Sequence, residues 1–479
     1  MTRTTIRSED ITAGQVKSAD LASDAVDTTS LETDIALLGF KVAANGSLAA
    51  YNLKDQTVDA FEDASGVDAS ASTDEIRNAS NYYSGGVSVS GATTGFTTTG
   101  ANTWTAPSPS PSTIEVLVVG GGGGGGRSGS GYGVEGGGGA GGVVHHASYS
   151  VTAGVEYDIT VGAGGAGGTS GNGSTGSDSV FNVNSEGSNT DALTGKGGGY
   201  GGGRISNGGS GGHGGGGGGS GSYSGGSSNQ PSYTGATTYG YAGQASQGDN
   251  GGGGGGAANS SSGGDFKYGR DGVQFSNFTS YGNNGYFAAG GGGGRYVHFS
   301  NPAAGCGGYG DSPTRIGGNA HGTTCGTTVS TGAGQAGTAN TGSGGGGGVN
   351  ANGGSGGSGF VGIHYDAFTS YNDMTLVSNA STADSTPTTG DIVMTYTNGA
   401  GTATINTDLK AYISRDNGTT WTQATLTSEG TTGGHSILTA HNVDISSQPS
   451  GTSMRYKITT HNQSSSKETR IQAVSLGWS

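Results

Sequence analysis

Glycine runs occupy the middle of this chain and limit how it can fold. The chain has 479 residues, 108 of them glycine, and nearly all of these lie between Phe96 and Tyr365. Glycine brings no side chain to a core, and ordering it costs more backbone entropy than ordering any other residue. The block is therefore either disordered or held together by backbone packing. The longest runs are Gly120–Gly126, Gly214–Gly219, Gly251–Gly256, Gly290–Gly294 and Gly344–Gly348.

Strand-like segments on both sides of the block favour an ordered structure. Ile114–Val119 is an apolar run that leads directly into Gly120, and Phe360–Tyr365 follows the last glycines. Between them, Tyr149–Val161 alternates apolar and polar residues around a central Ala-Gly, which predicts a β-hairpin. A flexible linker has no reason to begin and end in strands.

Backbone packing of glycine has a known form. Glycine runs can adopt the polyproline II conformation, an extended helix with about three residues per turn. Without side chains, such helices can approach one another on every side, and N–H groups can bond to neighbouring carbonyls. We therefore predict a mostly β chain with a polyglycine II bundle bracketed by β-hairpins, and with the larger residues in loops at its ends.

Aromatic residues concentrate in the interruptions between the glycine runs, where fourteen lie between Tyr223 and Tyr309. A tyrosine ring combines a rigid apolar face with a hydroxyl, and loops on a stiff scaffold are a common place for recognition. The alternative for each ring is packing against a neighbouring loop. The predicted binding contacts are Tyr233, Tyr239, Tyr241, Phe266, Tyr268, Phe278, Tyr281, Tyr286, Tyr296 and His298.

The two ends of the chain differ from the glycine block. Residues 1–40 carry an apolar residue every five positions, from Ile6 to Leu31, which predicts an oligomeric stalk that anchors the chain; a disordered polar tail is the alternative. Residues 41–94 are predicted as a small connecting region with a short helix at Asp74–Tyr83. Residues 95–366 form the glycine-rich domain, and short alternating segments in residues 367–479 predict a β-sandwich.

The glycine-rich part resembles a known family. Trp104 before Pro107, the strand Ile114–Val119 running into glycine, the Tyr149–Val161 hairpin and the closing Phe360–Tyr365 look like the glycine-rich adhesin domains of bacteriophage tail fibres. That resemblance implies stacked polyglycine helices whose loops bind a receptor on the host surface. It also implies an extracellular location on the virion. The N-terminal repeat and the C-terminal sandwich are similar to modules of virion proteins.

Composition argues against several other functions. A net charge of −15 without basic clusters is unlike a nucleic-acid or anionic-membrane partner, and no stretch is apolar enough for membrane insertion. Ser414–Trp421 matches the Asp-box pattern of sialidases, in which it has a structural role. Scattered histidines lack metal-ligand spacing, and Cys306 and Cys325 are either free thiols or a disulfide. We expect no cofactor, no metal and no enzymatic activity.

The sequence thus predicts a phage tail-fibre protein that is a homotrimer. It would bind a host glycan or outer-membrane protein through its aromatic loops and other virion proteins through its N-terminus. A virion fibre without receptor specificity and an enzyme acting on surface glycans are the alternatives.

Overall fold

The computed structural model describes residues 50–53, 55–129, 134–219, 221–258, 260, 265–295, 305–321, 325 and 331–479. The five-residue repeat and the predicted stalk lie outside these residues. The chain forms two compact units. One unit is Val89–Phe368, and the other combines the chain up to Ser88 with Thr369–Ser479. In chain order, the glycine-rich unit is therefore an insertion into the other unit.

The strands of the discontinuous unit come from both ends of the chain. From the N-terminal side these are β1 Ala50–Leu53, β2 Gln56–Asp59, β3 Ile76–Asn78, β4 Tyr82–Ser84 and β5 Gly86–Val89. From the C-terminal side these are β19 Phe368–Tyr371, β20 Thr375–Val377, β21 Ser381–Thr382, β22 Thr389–Ala400, β23 Leu409–Ser414, β24 Thr422–Ala424, β25 Thr427–Thr432, β26 His435–Asp444, β27 Ser453–Thr460 and β28 Glu468–Trp478.

Strands β5 and β19 pair with each other in a separate two-stranded sheet, and the other strands form the predicted β-sandwich. One sheet has the order β1-β2-β28-β22-β26-β25, with β3 and β4 attached at β28, and the other has the order β20-β27-β23-β24, with β21 beside β27. Alternate residues of the long strands point inward, as in β27, where Met454, Tyr456 and Ile458 are fully buried. Burial of one face of each sheet is the main source of stability for such a unit.

The predicted connecting region is not a separate region, because its residues complete this sandwich. Strand β2 pairs along β28, and Phe61, Val67 and Tyr83 lie in the same core as the C-terminal strands. The helix predicted at Asp74–Tyr83 is wrong: β3 and β4 form a hairpin there. Asn81 has φ +59, a left-handed conformation that reverses the chain and that a right-handed helix excludes.

The glycine-rich unit contains thirteen strands among the described residues and one 3-10 turn, Ser276–Phe278. The strands are β6 Ala92–Phe96, β7 Gly100–Thr105, β8 Thr113–Val119, β9 Arg127–Ser128, β10 Val143–Ser150, β11 Glu156–Val161, β12 Ser179–Phe181, β13 Leu193–Gly195, β14 Ala236–Tyr239, β15 Val273–Gln274, β16 Tyr286–Phe287, β17 Gly348–Val349 and β18 Phe360–Tyr365.

Two antiparallel sheets form one end of this unit. Their orders are β14-β10-β8-β18-β6 and β13-β12-β11-β7, and apolar side chains of both pack together in one core. Both predicted strands of the Tyr149–Val161 segment exist, but they do not pair with each other. Strand β10 lies in the first sheet and β11 in the second. The Ala-Gly turn therefore joins two sheets, so the predicted hairpin is wrong at this point.

The glycine runs form a hydrogen-bonded bundle with a period of three residues. Successive N–H groups of Gly120–Gly126 donate in rotation to three neighbouring segments, and its carbonyls accept from three more, with N···O distances of 2.8 to 3.0 Å. The six neighbouring segments are residues 136–142, 174–177, 354–357, 165–168, 198–201 and 345–348. Hydrogen bonds to six surrounding segments, with a period of three residues, are the pattern expected of packed polyglycine II helices. This pattern confirms the predicted scaffold.

Only glycine fits at the centre of this bundle. A Cβ added to Gly123 would lie 2.1 Å from the carbonyl oxygen of Gly199, and one on Gly124 would lie 2.0 Å from that of Ala166. Backbone atoms cannot move aside as a flexible side chain could, so the close approach excludes any larger residue.

The bundle grows from one end of the two sheets. Strand β8 continues into Gly120–Gly126, β11 continues into 162–168, and the run at 353–359 leads into β18. The helices therefore extend away from the sheets, and some of the segments that connect them lie at the opposite end. We call this opposite end the far end; its described residues include 127–129, 168–172, 203–208, 221–224, 246–250 and 349–352.

Candidate binding end of the polyglycine bundle

Hydrogen bonds tie the far-end loops to one another. Arg127 donates through Nη1 to the carbonyl of Thr169 and, at 3.1 Å, to Oδ1 of Asn352. The Oδ1 atom of Asn172 accepts from the N–H of Gly203 at 2.8 Å. These loops come from four different glycine helices, so one connected network of hydrogen bonds joins these four loops.

A second set of bonds fixes the loop that contains Tyr223. Ser246 accepts the N–H of Tyr223 through Oγ at 2.9 Å and donates to the carbonyl of Gly221 at 2.8 Å. The ring of Tyr223 packs where a Cβ on Gly219 would lie, 2.5 Å from the ring carbons. The half-buried Tyr223 is thereby part of the far-end surface, although its position was not among the predicted contacts.

The most exposed apolar side chain of the described residues is also at the far end. Ile205 is 69% exposed, against 42% for Val183 and 41% for Ile76. It follows the exposed Arg204 in a four-residue loop, 204–207, that joins two glycine helices. Sequence reasoning missed this pair because it searched the interruptions for aromatics; a lone isoleucine between two glycine runs is the signal that was available.

The predicted contact residues are divided between the two ends of the bundle. Phe266 and Tyr268 lie on a segment that bonds to helices near the far end, since the carbonyl of Phe266 accepts from Gly253 and that of Lys267 from Gly293. Both rings are half-buried. Lys267 lies with its Nζ 2.7 Å from Oδ2 of Asp265 and 5.5 Å from the centroid of the Tyr268 ring.

Most of the other predicted contacts lie at the sheet end and pack on the β-sheets. Tyr233 accepts the N–H of Thr194 at 3.0 Å through its hydroxyl and packs on the core between the sheets. The ring of Tyr239 lies 6.0 Å from that of Phe275, and the ring of Tyr281 lies 5.3 Å from that of Phe360. The half-buried rings of Tyr239 and Tyr281 pack against the cluster around Phe360, on the other face of the five-stranded sheet.

The remaining predicted contacts are placed differently. Phe278 is fully buried in the cluster around Phe360, so its side chain cannot contact a receptor and we exclude it from the contact residues. Tyr286 pairs through β16 with β15 and is half-buried at the sheet end. Tyr241 lies beside His213, with ring centroids 6.0 Å apart. Tyr296 and His298 lie outside the described residues.

Below the far-end surface lies a buried polar pair. The Nε2 atom of His321 lies 3.0 Å from Oε2 of Glu135, and both side chains are almost inaccessible. A Cβ on Gly294 would lie 2.1 Å from the same Glu135 oxygen. The pair therefore fills the junction of several glycine helices. Near this junction Cys306 and Cys325 form a disulfide with Cα atoms 5.0 Å apart, which decides between the two alternatives for these thiols.

The described residues lack two features. They contain no group of three His, Cys, Asp or Glu side chains placed to hold a metal ion. None of the helices among them has the length and apolar character that crossing a membrane requires. Exposed apolar and arginine side chains and half-buried aromatic rings on a fixed backbone are elements of a contact surface.

The fold and the far-end loops define a class of protein. It is a glycine-rich β-protein in which a polyglycine bundle extends from a base of β-sheets and displays loops at its far end. A family model described as a glycine-rich domain matches residues 97–366. The match covers more than half of the chain, which therefore belongs to this glycine-rich domain family. A search of curated proteins found no match to the chain.

Proposed function

We propose that this chain is a bacteriophage tail-fibre protein that binds a host surface receptor through the far end of its polyglycine bundle. In this proposal the protein is a non-enzymatic adhesin, located on the virion, and assembled as a homotrimer attached through its N-terminus. The receptor is a glycan or an outer-membrane protein. The contact residues are Tyr223, Phe266, Tyr268 and the Arg204-Ile205 pair, together with Tyr296 and His298 from the sequence prediction.

One observation supports this proposal most strongly: the combination of a stiff bundle with an exposed apolar side chain at its end. A helix bonded to six neighbours has little freedom to bend, so the loops at its end are held in a fixed arrangement. A preorganised surface loses less entropy on binding than a flexible one. Exposing Ile205 to water brings no advantage to folding, whereas burying it against a partner would contribute favourable free energy.

The experiment compares three single substitutions of exposed apolar residues. Ile205→Ser alters the far end, Val183→Ser alters the sheet end of the same unit, and Ile76→Ser alters the sandwich unit. Virions or purified full-length chain carrying each substitution are tested for adsorption to host cells. We expect Ile205→Ser to reduce adsorption by at least about tenfold, the effect of losing one central contact residue. The two control variants should adsorb as the parent does.

Other outcomes separate the alternatives. Normal adsorption by Ile205→Ser and by a Phe266→Ser, Tyr268→Ser double variant, in particles that assemble normally, would favour a structural fibre without receptor specificity. Release of new reducing ends from host polysaccharide would favour a glycan-acting enzyme. Labelling of virions with an antibody to residues 97–366 tests the location itself, because the proposal requires the label on a tail fibre.

A further inference from the structure

The sandwich unit has a small pocket that the proposed adhesin function does not use. The pocket has a volume of about 300 Å³ and lies on the outer face of the sheet that contains β20, β27 and β23. This volume is at the lower limit of ordinary small-molecule sites. Its lining residues are Ala71, Thr375, Val377, Asn417, Gly418, Trp421, Arg455 and Lys457.

Lys457 forms the floor of the pocket together with Arg455, two positions away on the same strand. The Nζ atom of Lys457 lies 4.5 Å from the ring centroid of Tyr412 and 4.6 Å from that of Trp421. These two rings hold the ammonium by cation–π attraction but cannot accept its hydrogens as a carboxylate does. Among the described residues no carboxylate forms an ion pair with Lys457.

The second cation, Arg455, already has an acidic partner and is a fixed part of the pocket lining. Arg455 lies with Nη1 2.6 Å from Oδ2 of Asp68, and its Nε donates to Oδ1 of Asn417 at 2.8 Å. The pocket thus holds two cations and one neutralising acid. Burial lowers the pKa of Lys457, because its ammonium is partly removed from water. Both charged side chains of the pocket lining are cationic, in a chain whose net charge is −15.

The wall that carries Trp421 is rigid because of the Asp-box sequence. Asp416 accepts the N–H of Thr420 and the hydroxyl of Ser414 through Oδ1, both at 2.8 Å. Gly418 has φ +83, and a Cβ there would lie 3.1 Å from the Trp421 ring. This geometry agrees with the structural role expected of the motif. It also fixes the position of the indole beside Lys457.

We propose that this pocket binds the carboxylate of an acidic sugar, such as a uronic acid unit of a surface polysaccharide. The carboxylate pairs with Lys457, and the sugar hydroxyls face the amide of Asn417 and the hydroxyl of Thr375. The unpaired ammonium selects an anion, because a charged donor without an acidic partner is the strongest interaction that the pocket offers. The polar wall and the volume select a compact polyhydroxylated unit over an apolar one.

The experiment is calorimetric titration of the full-length chain with D-galacturonate, D-galactose and acetate, each up to roughly 10 mM, the range of weak carbohydrate binding. The variant Lys457→Gln removes the charge and keeps most of the chain length. The matched control is Lys410→Gln, because Lys410 lies on the neighbouring strand β23 opposite Thr459 and outside the pocket lining. Thermal unfolding of both variants is recorded to verify that the sandwich unit is intact.

We expect galacturonate to bind the parent and the Lys410→Gln variant equally. Its affinity for Lys457→Gln should fall by at least about tenfold, as for the loss of one charged hydrogen bond. Galactose should bind at least about tenfold more weakly than galacturonate. Equal affinities for the two sugars, equal affinities for galacturonate and acetate, no binding of galacturonate, or an unchanged affinity in folded Lys457→Gln would each overturn the proposal.

Discussion

His321 and Glu135 are bonded to each other in the interior of the glycine-rich unit, with Nε2 and Oε2 3.0 Å apart and side chains 3% and 0% exposed. They are 186 residues apart in sequence. Glu135 stands at the start of the helix at 136–142, and His321 ends the segment that bonds to Gly344 and Gly347. The pair therefore links distant parts of the bundle by side chains, whereas the glycine runs themselves are joined by backbone bonds.

Removing one member of this pair should destabilise the unit. His321→Ala or Glu135→Ala leaves a buried polar partner without its bond, and we expect each to cost about 3 kcal/mol of unfolding free energy. The double variant should cost less than the sum of the two by at least about 1 kcal/mol, because it leaves no orphaned partner. Denaturant unfolding of the four chains measures the coupling. Strictly additive effects would contradict a direct interaction.

Substituting a central glycine should be far more damaging than substituting a peripheral one. Gly123→Ala places a Cβ 2.1 Å from the carbonyl oxygen of Gly199, whereas Gly171→Ala meets nothing within 4 Å. We expect the first to cost about 2–4 kcal/mol through overpacking and the second to change stability by less than about 1 kcal/mol. The free energy of unfolding of the full chain is the measurement. Similar values for the two variants would argue against close backbone packing.

The stability of the glycine-rich unit should fall in mild acid because of His213. This histidine is completely buried, its Nδ1 donates to the carbonyl of Gly141 at 2.9 Å, and burial lowers its pKa to about 4. An unfolded histidine has a pKa near 6.5, so between these values the unfolded chain binds the additional proton and becomes favoured. Lowering the pH from about 7 to 4 should cost about 2–3 kcal/mol through this group.

The test of His213 is a series of thermal unfolding curves at several pH values. The variant His213→Gln should show a flatter pH dependence between about pH 4 and 6.5. The matched control is His435→Gln. His435 belongs to the sandwich unit and is not buried, so this variant should retain the pH dependence of the parent. An equal slope in the parent and in His213→Gln would rule out the assignment to His213.

The sandwich unit should respond to pH in the opposite direction through Asp59. Its Oδ1 accepts the N–H of Phe61 at 2.8 Å, but its Oδ2 is buried without a hydrogen-bond partner, and burial raises the pKa of Asp59 to about 7. The folded state therefore holds a proton that the unfolded state releases near pH 4. Stability should fall as the pH rises from about 4 to 7, and the full penalty applies above pH 7.

Replacing Asp59 by asparagine tests this directly. Asp59→Asn keeps an acceptor for Phe61 and removes the charge, so it should stabilise the sandwich unit at pH 8 by about 2 kcal/mol and change little at pH 4. Asp384→Asn, at an exposed position, is the control and should have little effect at either pH. Destabilisation of Asp59→Asn at pH 8 would show that the carboxylate is stabilised in the folded state.

Local sequence patterns predicted most of the structural elements of the fold correctly. The strands at Ile114–Val119 and Phe360–Tyr365, the packed glycine helices and the C-terminal sandwich all follow from apolar alternation and from the absence of side chains. These properties act over a few residues and survive in any tertiary context. The Asp-box hairpin at Ser414–Trp421 is a similar case, because its bonds join residues at most four positions apart.

The contact residues were predicted less well because a tyrosine in a loop has the same sequence signature whether it faces solvent or covers a sheet. Tyr239 and Tyr281 pack beside Phe275 and Phe360, and Phe278 is fully buried. Which end of the bundle a loop occupies depends on how many helices precede it and on where each begins. The aromatic count therefore identified a mixture of core residues and surface residues.

The sequence by itself determined that the glycine runs of the central block can be ordered only through backbone packing, because glycine has no side chain, and that strand-like segments border the block. Only the tertiary structure decided which helix neighbours which, that β10 and β11 belong to different sheets, and that residues 50–88 complete the C-terminal sandwich. The physical reason is that glycine helices carry no side chains to specify a partner. Their neighbours are chosen by the strands from which they extend and by a few buried side chains such as Glu135 and His321.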